Sequence, residues 1–182
     1  MRNPLKVYDD SLLQLINQTI RNKFFDKFFY YFTNLGGATF VTGLTFAIIL
    51  LGRKTQLKYL GIEAFLAQIL TAFVVQPIKL ILRRERPYNK LKGLNTFGIV
   101  MRDYSFPSGH TAASFSLAYI VTRFYPALYL PIYIYAFLIG ISRIYLAVHY
   151  PTDVTAGAII GSGVSALSHN LVYPFILTYF TF

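Results

Sequence analysis

Charge is missing from four long stretches of this chain. No Asp, Glu, Lys or Arg occurs in residues 28–52, 104–122, 124–142 or 154–182, and residues 59–78 hold only Glu63. A helix of about 20 apolar residues crosses a hydrocarbon core of roughly 30 Å with all its backbone polar groups satisfied internally. Apolar runs of that length point to an all-α fold, an integral membrane helical bundle. The composition agrees: 55% of residues are hydrophobic and 13% charged, where ordinary soluble domains carry roughly 25% charged. The 182 residues are enough for one membrane-embedded domain, 1–182.

The stretches and their punctuation give five spans. The first covers about 30–51 and ends at Gly52 and the basic turn Arg53-Lys54; the second covers about 57–82. A polar loop, 83–106, separates them from a third span running from Gly109 to Phe124. The fourth covers about 127–147, and the fifth starts at Thr152, with Pro174 expected to bend or end it. Ahead of them, Leu12, Leu13, Ile16, Ile20 and Phe24 recur at helical spacing over residues 8–27, with Asn17, Arg21 and Asn22 elsewhere on the wheel. That pattern fits an N-terminal amphipathic helix (within 1–28), either lying in the membrane interface or packed against the bundle. Alternation of five spans then brings this helix, loop 83–106 and the turn 148–152 to one face of the membrane.

The formal net charge is +10, from 17 Lys and Arg against 7 Asp and Glu. The basic residues sit at span ends and in short loops, so anionic lipid headgroups and a lipid substrate fit them better than nucleic acid. With no cysteine in the chain, disulfides, thiol nucleophiles and thiolate metal sites are excluded. The N-terminus lacks the short apolar core and small-residue cleavage site of a signal peptide. Seven widely scattered carboxylates do not build a two-metal hydrolytic site, so neither a metal nor another cofactor is expected.

Three segments at span ends carry the chemistry. In Lys79–Pro87 (KLILRRERP), Lys79 and Arg86 stand seven residues apart, almost two helical turns and about 10 Å along one face. Such cations either meet an anion or snorkel to anchor a helix end; Arg83 and Arg84 fit the anchoring role better than Lys79 and Arg86. Pro107-Ser108-Gly109-His110 opens the third span, where the unpaired N–H groups of a helix's first turn favour an anion. Gly109 permits close approach to the backbone, Ser108 adds a hydroxyl, and His110 stands where a leaving oxygen needs a proton; a plain Ser N-cap beside an exposed histidine is the bland alternative. In Ser142–Asp153 (SRIYLAVHYPTD), Arg143 lies near the end of the fourth span, His149 in the following turn and Asp153 four residues later. Asp153 can there hold one ring nitrogen of His149 and leave the other free as a nucleophile, or merely cap the helix that Pro151 begins. His169 and Glu63 read as locally paired residues within spans, and Asp9 and Asp10 as cap or surface residues.

These segments resemble the signature of the type 2 phosphatidic acid phosphatase family, K-x6-R-P, P-S-G-H and S-R-x5-H-x3-D. Every signature position is matched in order and spacing, over residues 79–153. The resemblance implies a helical membrane bundle, usually of six spans, that hydrolyses a phosphate monoester or diphosphate of a lipid through a phosphohistidine. It implies catalytic roles for His149 as nucleophile, Asp153 as its orienting carboxylate and His110 as acid for the leaving group. Lys79, Arg86, Ser108, Gly109 and Arg143 would hold the phosphate oxygens. Undecaprenyl diphosphate, a phosphatidylglycerol phosphate or phosphatidic acid are the expected substrate classes. Transfer of phosphate to a second lipid by the same site, and non-catalytic lipid transport, are the alternatives. The chain is expected in the cell membrane as a multi-pass protein with its site facing outward.

Overall fold

A computed structural model describes residues 4–52 and 56–180, and the described residues form helices and irregular connections without strands. The helices are α1 (Pro4–Gln14), α2 (Lys23–Phe32), α3 (Ala38–Leu51), α4 (Gln56–Leu82), α5 (Pro87–Lys90), α6 (Gly109–Phe124), α7 (Tyr129–Tyr145) and α8 (Pro151–Phe180). By length and composition, Gln56–Lys90 and Pro126–Tyr145 can cross a membrane, and a third crossing arises if Lys23–Gly36 and Ala38–Leu51, bent by 54°, are one broken span. The five expected crossings therefore reduce to two or three on this measure. Helix α6 has 16 residues, about 24 Å at 1.5 Å per residue, which is short of a core of roughly 30 Å. Helix α8 is long enough, but its Ser, Thr, Asn and His side chains dilute its apolar character.

The N-terminal segment differs from the single helix its periodicity suggests. Helix α1 passes into a π-helical turn over Leu15–Thr19, and a new helix starts after Asn22, whose side chain accepts from Phe25 N at 2.9 Å. The π turn rotates Asn17 inward, and the residue is fully buried. There its Nδ2 donates to the carbonyls of Tyr145 (2.6 Å) and Asn95 (2.9 Å), and its Oδ1 accepts from Asn95 N at 3.0 Å. The first expected span is likewise broken between α2 and α3 at Gly36 and Gly37. A Cβ on Gly36 would meet Ile139 Cγ2 at 2.4 Å, so the close approach of α7 requires glycine there.

Helix α6 lies at the centre, packed on α4, α7 and α8. Its contact with α8 is closest: a Cβ on Gly157 would stand 2.6 Å from Ser108 O, and one on Gly161 2.1 Å from Ala112 O. Small residues at such an interface let backbones touch, which is how helices associate where lipid supplies no hydrophobic drive. The consequence for function is positional. The first turn of α6 is pressed against the first turn of α8, and Ser108 N donates to Asp153 O at 3.0 Å. Loop 83–106 is not an open polar excursion either. Its Tyr88, Leu91, Leu94, Phe97, Ile99 and Met101 pack on the cluster of Leu13, Ile16, Phe29, Tyr145 and Val148, so the loop folds over that end of the bundle. Helix α8 runs on through Pro174 to Phe180 rather than ending there.

Candidate active site

The three signature segments meet at this end of the bundle. Helix α4 stops at Leu82, earlier than the placement of Lys79 and Arg86 on one helical face requires. Arg83 turns the chain with φ 46°, a left-handed conformation that ends helices, and Arg86 sits in extended backbone before Pro87. Lys79 and Arg86 nonetheless converge, through a shared anion. Lys79 Nζ lies 2.5 Å from Asp103 Oδ2, and Arg86 Nη2 lies 2.7 Å from Asp103 Oδ1. Lys79 also donates to Tyr104 O at 2.9 Å. Both cations are nearly inaccessible, whereas the Asp103 side chain is 45% exposed. Burial pushes the Asp103 carboxyl up, but Lys79 and Arg86 outweigh it and hold the group down at about 2.

His149 is buried in the turn between α7 and α8. Its Nε2 lies 3.3 Å from Arg86 Nη1. A guanidinium only donates, so Nε2 is the unprotonated acceptor and the ring proton resides on Nδ1. That nitrogen faces Asp153 Oδ2 and Ser105 Oγ, each at 3.5 Å. Burial lowers the His149 pKa well below its ordinary value, and Arg86, Arg143 and Lys79 push the same way. The imidazole is thus kept neutral with a lone pair on the Arg86 side.

Asp153 is fully buried and held by three donors. Tyr150 N reaches Oδ2 at 2.8 Å, Ser105 Oγ reaches Oδ2 at 2.5 Å, and Arg84 Nη1 reaches Oδ1 at 2.5 Å. The Tyr150 contact is a helix-start interaction, so Asp153 both caps α8 and faces His149. Arg84 is not a lipid-facing anchor. Its Nη2 bonds Asp9 Oδ2 at 2.6 Å, and its guanidinium stacks on the Tyr150 ring at 4.1 Å. Asp9, read from sequence as a cap or surface residue, is buried and accepts from Thr152 N at 2.9 Å and Thr152 Oγ1 at 2.6 Å. Helix α1 is thereby tied to the start of α8. Burial lowers the Arg84 pKa, but the Asp153 and Asp9 carboxylates outweigh it and raise the net value.

Arg143 is buried, with Nη1 on Thr33 Oγ1 at 2.7 Å and Nη2 on Met101 Sδ at 3.8 Å, while its Nε has no hydrogen-bond partner. Ser108 occupies the N-cap of α6 without a side-chain capping bond; its Oγ accepts from Thr111 Oγ1 at 2.9 Å. Open space lies in front of Gly109. Gly109, His110, His149, Lys79 and Asp103 line one cavity of about 440 Å³, which continues between α3 and α4 past Thr42, Ile69 and Val75. Of the eight sequence candidates, Lys79, Gly109, His110 and His149 line this cavity, with Arg86 in contact with His149 and Asp153 behind it. Sequence reasoning missed Ser105, Arg84, Asp9 and Asp103; only Asp103, a single carboxylate in a strongly basic loop, offered a signal. His169 Nδ1 lies 2.6 Å from Glu63 Oε1, and neither residue lines the cavity.

Comparison with known proteins places this geometry among relatives. The PAP2 superfamily pattern matches residues 60–176. An undecaprenyl-diphosphatase of Sulfolobus acidocaldarius is 29% identical over 123 residues, covering 67% of this chain and 59% of that protein. The chain spans only 55–59% of the full length of such curated relatives. Among solved structures, Aquifex aeolicus LpxE superposes with a TM-score of 0.78 at 32% identity, covering 89% of this chain and 94% of that one. A transmembrane PAP2-type phosphatidylglycerolphosphate phosphatase from Bacillus subtilis gives a TM-score of 0.78 at 25% identity, covering 94% and 88%.

Proposed function

We propose that this chain, which belongs to the PAP2 superfamily, is a membrane phosphatase that removes phosphate from a lipid phosphomonoester or diphosphate. The observation that carries the reading is the His149 ring, with Nδ1 facing Asp153 and the Nε2 lone pair on the side of the buried cations. Nε2 attacks phosphorus and forms the P–N bond as the bridging P–O bond breaks. The leaving oxygen takes a proton from His110. Water then attacks the phosphohistidine, giving a proton back to His110 and releasing inorganic phosphate. Lys79, Arg86, Arg143, Ser108 and the Gly109 amide hold the non-bridging oxygens, so the charge that builds up is met by side chains and the reaction needs no metal. Phosphoryl transfer depends mainly on such positioning and charge.

The substrate reading follows from the cavity and the relatives. The apolar stretch between α3 and α4 suits a lipid tail, and the relatives act on undecaprenyl diphosphate and phosphatidylglycerol phosphate. We place the chain in the cell membrane, with the site facing outward. Phosphate release by the detergent-solubilised protein, with chelator present, across diphosphate and monophosphate lipids, tests the activity. His149→Ala abolishes release if the reading holds. Full release by the folded variant refutes the mechanism, loss on chelation refutes metal independence, and phosphate appearing only on an added lipid acceptor identifies a transferase.

A further inference from the structure

The cations assigned to the substrate phosphate already carry an anion. Arg86 has five N–H groups, and five acceptors surround it: Asp103 O at Nε, Val148 O and His149 Nε2 at Nη1, and Asp103 Oδ1 and Tyr104 O at Nη2. No N–H of Arg86 remains for a phosphate oxygen. Lys79 has two of its three N–H groups engaged, one by Asp103 Oδ2. In contrast, Arg143 keeps an unpartnered Nε, and Gly109 at the start of α6 faces open space.

We propose that Asp103 is an affinity-determining residue, an internal carboxylate that the substrate phosphate displaces from Lys79 and Arg86. This rests on the phosphatase reading above. A carboxylate bridging two cations presents two oxygens as two non-bridging phosphate oxygens do, so it competes for the same donors. The chain around it permits the exchange. Residues 102–104 form a short irregular arch, pinned before by the Tyr88 hydroxyl, which bonds Met101 N at 3.1 Å and Met101 O at 3.2 Å, and after by Ser105 N on Arg84 O at 2.8 Å. Within that arch the Asp103 side chain is 45% exposed, whereas its carbonyl also holds Arg86 Nε at 2.9 Å. Rotation of one side chain therefore vacates the cations without dismantling the arch. The same rotation frees Arg86 Nη2 for a phosphate oxygen and lets the fork relax off the His149 lone pair that the attack uses. The carboxyl stays ionised at any working pH, since its neighbours hold it near 2, so the competitor is present throughout.

The test is binding of inorganic phosphate to the full detergent-solubilised chain by calorimetry. Asp103→Asn keeps the size of the side chain and removes its charge. It should bind phosphate about tenfold tighter than wild type, the worth of two half-exposed ion-pair contacts. Orthovanadate should inhibit it at correspondingly lower concentration, and KM for a lipid substrate should fall further than kcat. Asp103→Ser, which also removes the carboxylate, should tighten binding in the same direction and serves if the asparagine chain does not fold. Equal or weaker phosphate binding by the folded variants overturns the displacement and makes Asp103 a residue that orients the cations. Absence of phosphate binding in wild type and variants alike overturns the displacement and the phosphatase reading together.

Discussion

Arg84→Met should damage both stability and turnover, and the damage can be estimated from three contacts. Arg84 joins Asp153 Oδ1 (2.5 Å), Thr152 Oγ1 (2.8 Å) and Asp9 Oδ2 (2.6 Å). Both carboxylates are buried, and Arg84 is the cation each is paired with. Hydrogen bonds to charged groups contribute about 1.5–3 kcal/mol each. The Arg84 side chain is 30% exposed, so water screens it and the low end applies, giving about 3 kcal/mol for the two carboxylate bonds. At about 2–4 °C per kcal/mol for a chain of this size, Tm should fall by roughly 6–12 °C. Methionine keeps an apolar stem against Tyr150, so lost packing is a small part of the change. Asp153 loses one of its three anchors, and the His149 ring it faces is then less well oriented. Displacing a catalytic group by about 1 Å costs on the order of 100-fold, so kcat should drop about 10- to 100-fold with KM little altered. Thermal unfolding in detergent and steady-state phosphate release well below Tm read the two effects separately. Arg84→Lys should restore part of the stability but less of the kcat, because an ammonium cannot span both carboxylates with a planar fork. Wild-type Tm and kcat in Arg84→Met would mean that the residue only anchors a helix end. Lower Tm with unchanged kcat would refute its role in positioning Asp153.

Ser105→Ala removes the donor to Asp153 Oδ2 and the hydroxyl beside His149 Nδ1; kcat should fall about 10- to 100-fold, and an unchanged kcat would show that Tyr150 N and Arg84 suffice to hold the carboxylate. Gly161→Ala places a Cβ 2.1 Å from Ala112 O, so α6 and α8 must part, at about 1–3 kcal/mol by the usual cost of overpacking. Gly163→Ala, which meets nothing within 4 Å, should leave Tm in place, and equal effects of the two would refute the close interface. His149 is held neutral well below its ordinary value, whereas an unfolded chain protonates histidine near 6.5. The unfolded state therefore binds the proton first, and stability should be constant above about pH 6.5 and decline as pH falls below it; a Tm that rises on acidification contradicts a neutral buried imidazole. Because the chain has no cysteine, Lys92→Cys in the exposed part of the loop is a unique thiol. It should react with a membrane-impermeant reagent on intact cells if the site faces outward, and only after permeabilisation if it faces the cytoplasm.

Much of this site was legible in sequence because its residues stand where helices begin and end. Gly109 and Pro151 open α6 and α8 in the structure, and both positions follow from local rules for helix starts. The spacing of His149 and Asp153 places them in one turn-and-helix start for the same reason. What escaped was long-range. Asp9 precedes Thr152 by 143 residues; its spacing from Leu12, Leu13 and Ile16 puts it on the apolar face of α1, but no local signal names its distant partners. Ser105 and Arg84 are ordinary loop residues until the loop folds over the bundle. The breaks in the first span and in the N-terminal helix were hidden similarly. Gly36 is required by the side chain of Ile139 on α7, and the π turn is held by a buried Asn17 whose partners, Asn95 and Tyr145, come from elsewhere in the chain.

The residues that sequence missed change the meaning of those it found. Taken alone, Lys79, Arg86, Arg143 and His149 form a cationic pocket with a histidine. With Asp9, Arg84 and Ser105 added, the imidazole stands between two groups of opposite sign. On its Nδ1 side, Asp153 and Asp9 share one arginine, leaving one negative charge in excess. On its Nε2 side, three cations face the single carboxylate of Asp103, leaving two positive charges in excess. Such a field stabilises a proton on Nδ1 and favours an anion at Nε2, the tautomer and direction that the proposed attack on phosphorus uses. Displacing Asp103 raises the positive excess to three at the moment the phosphate arrives, and the cation that had capped the lone pair becomes available to the phosphate oxygens. In the proposed mechanism, substrate binding and activation of the nucleophile are then one event, because Arg86 takes part in both.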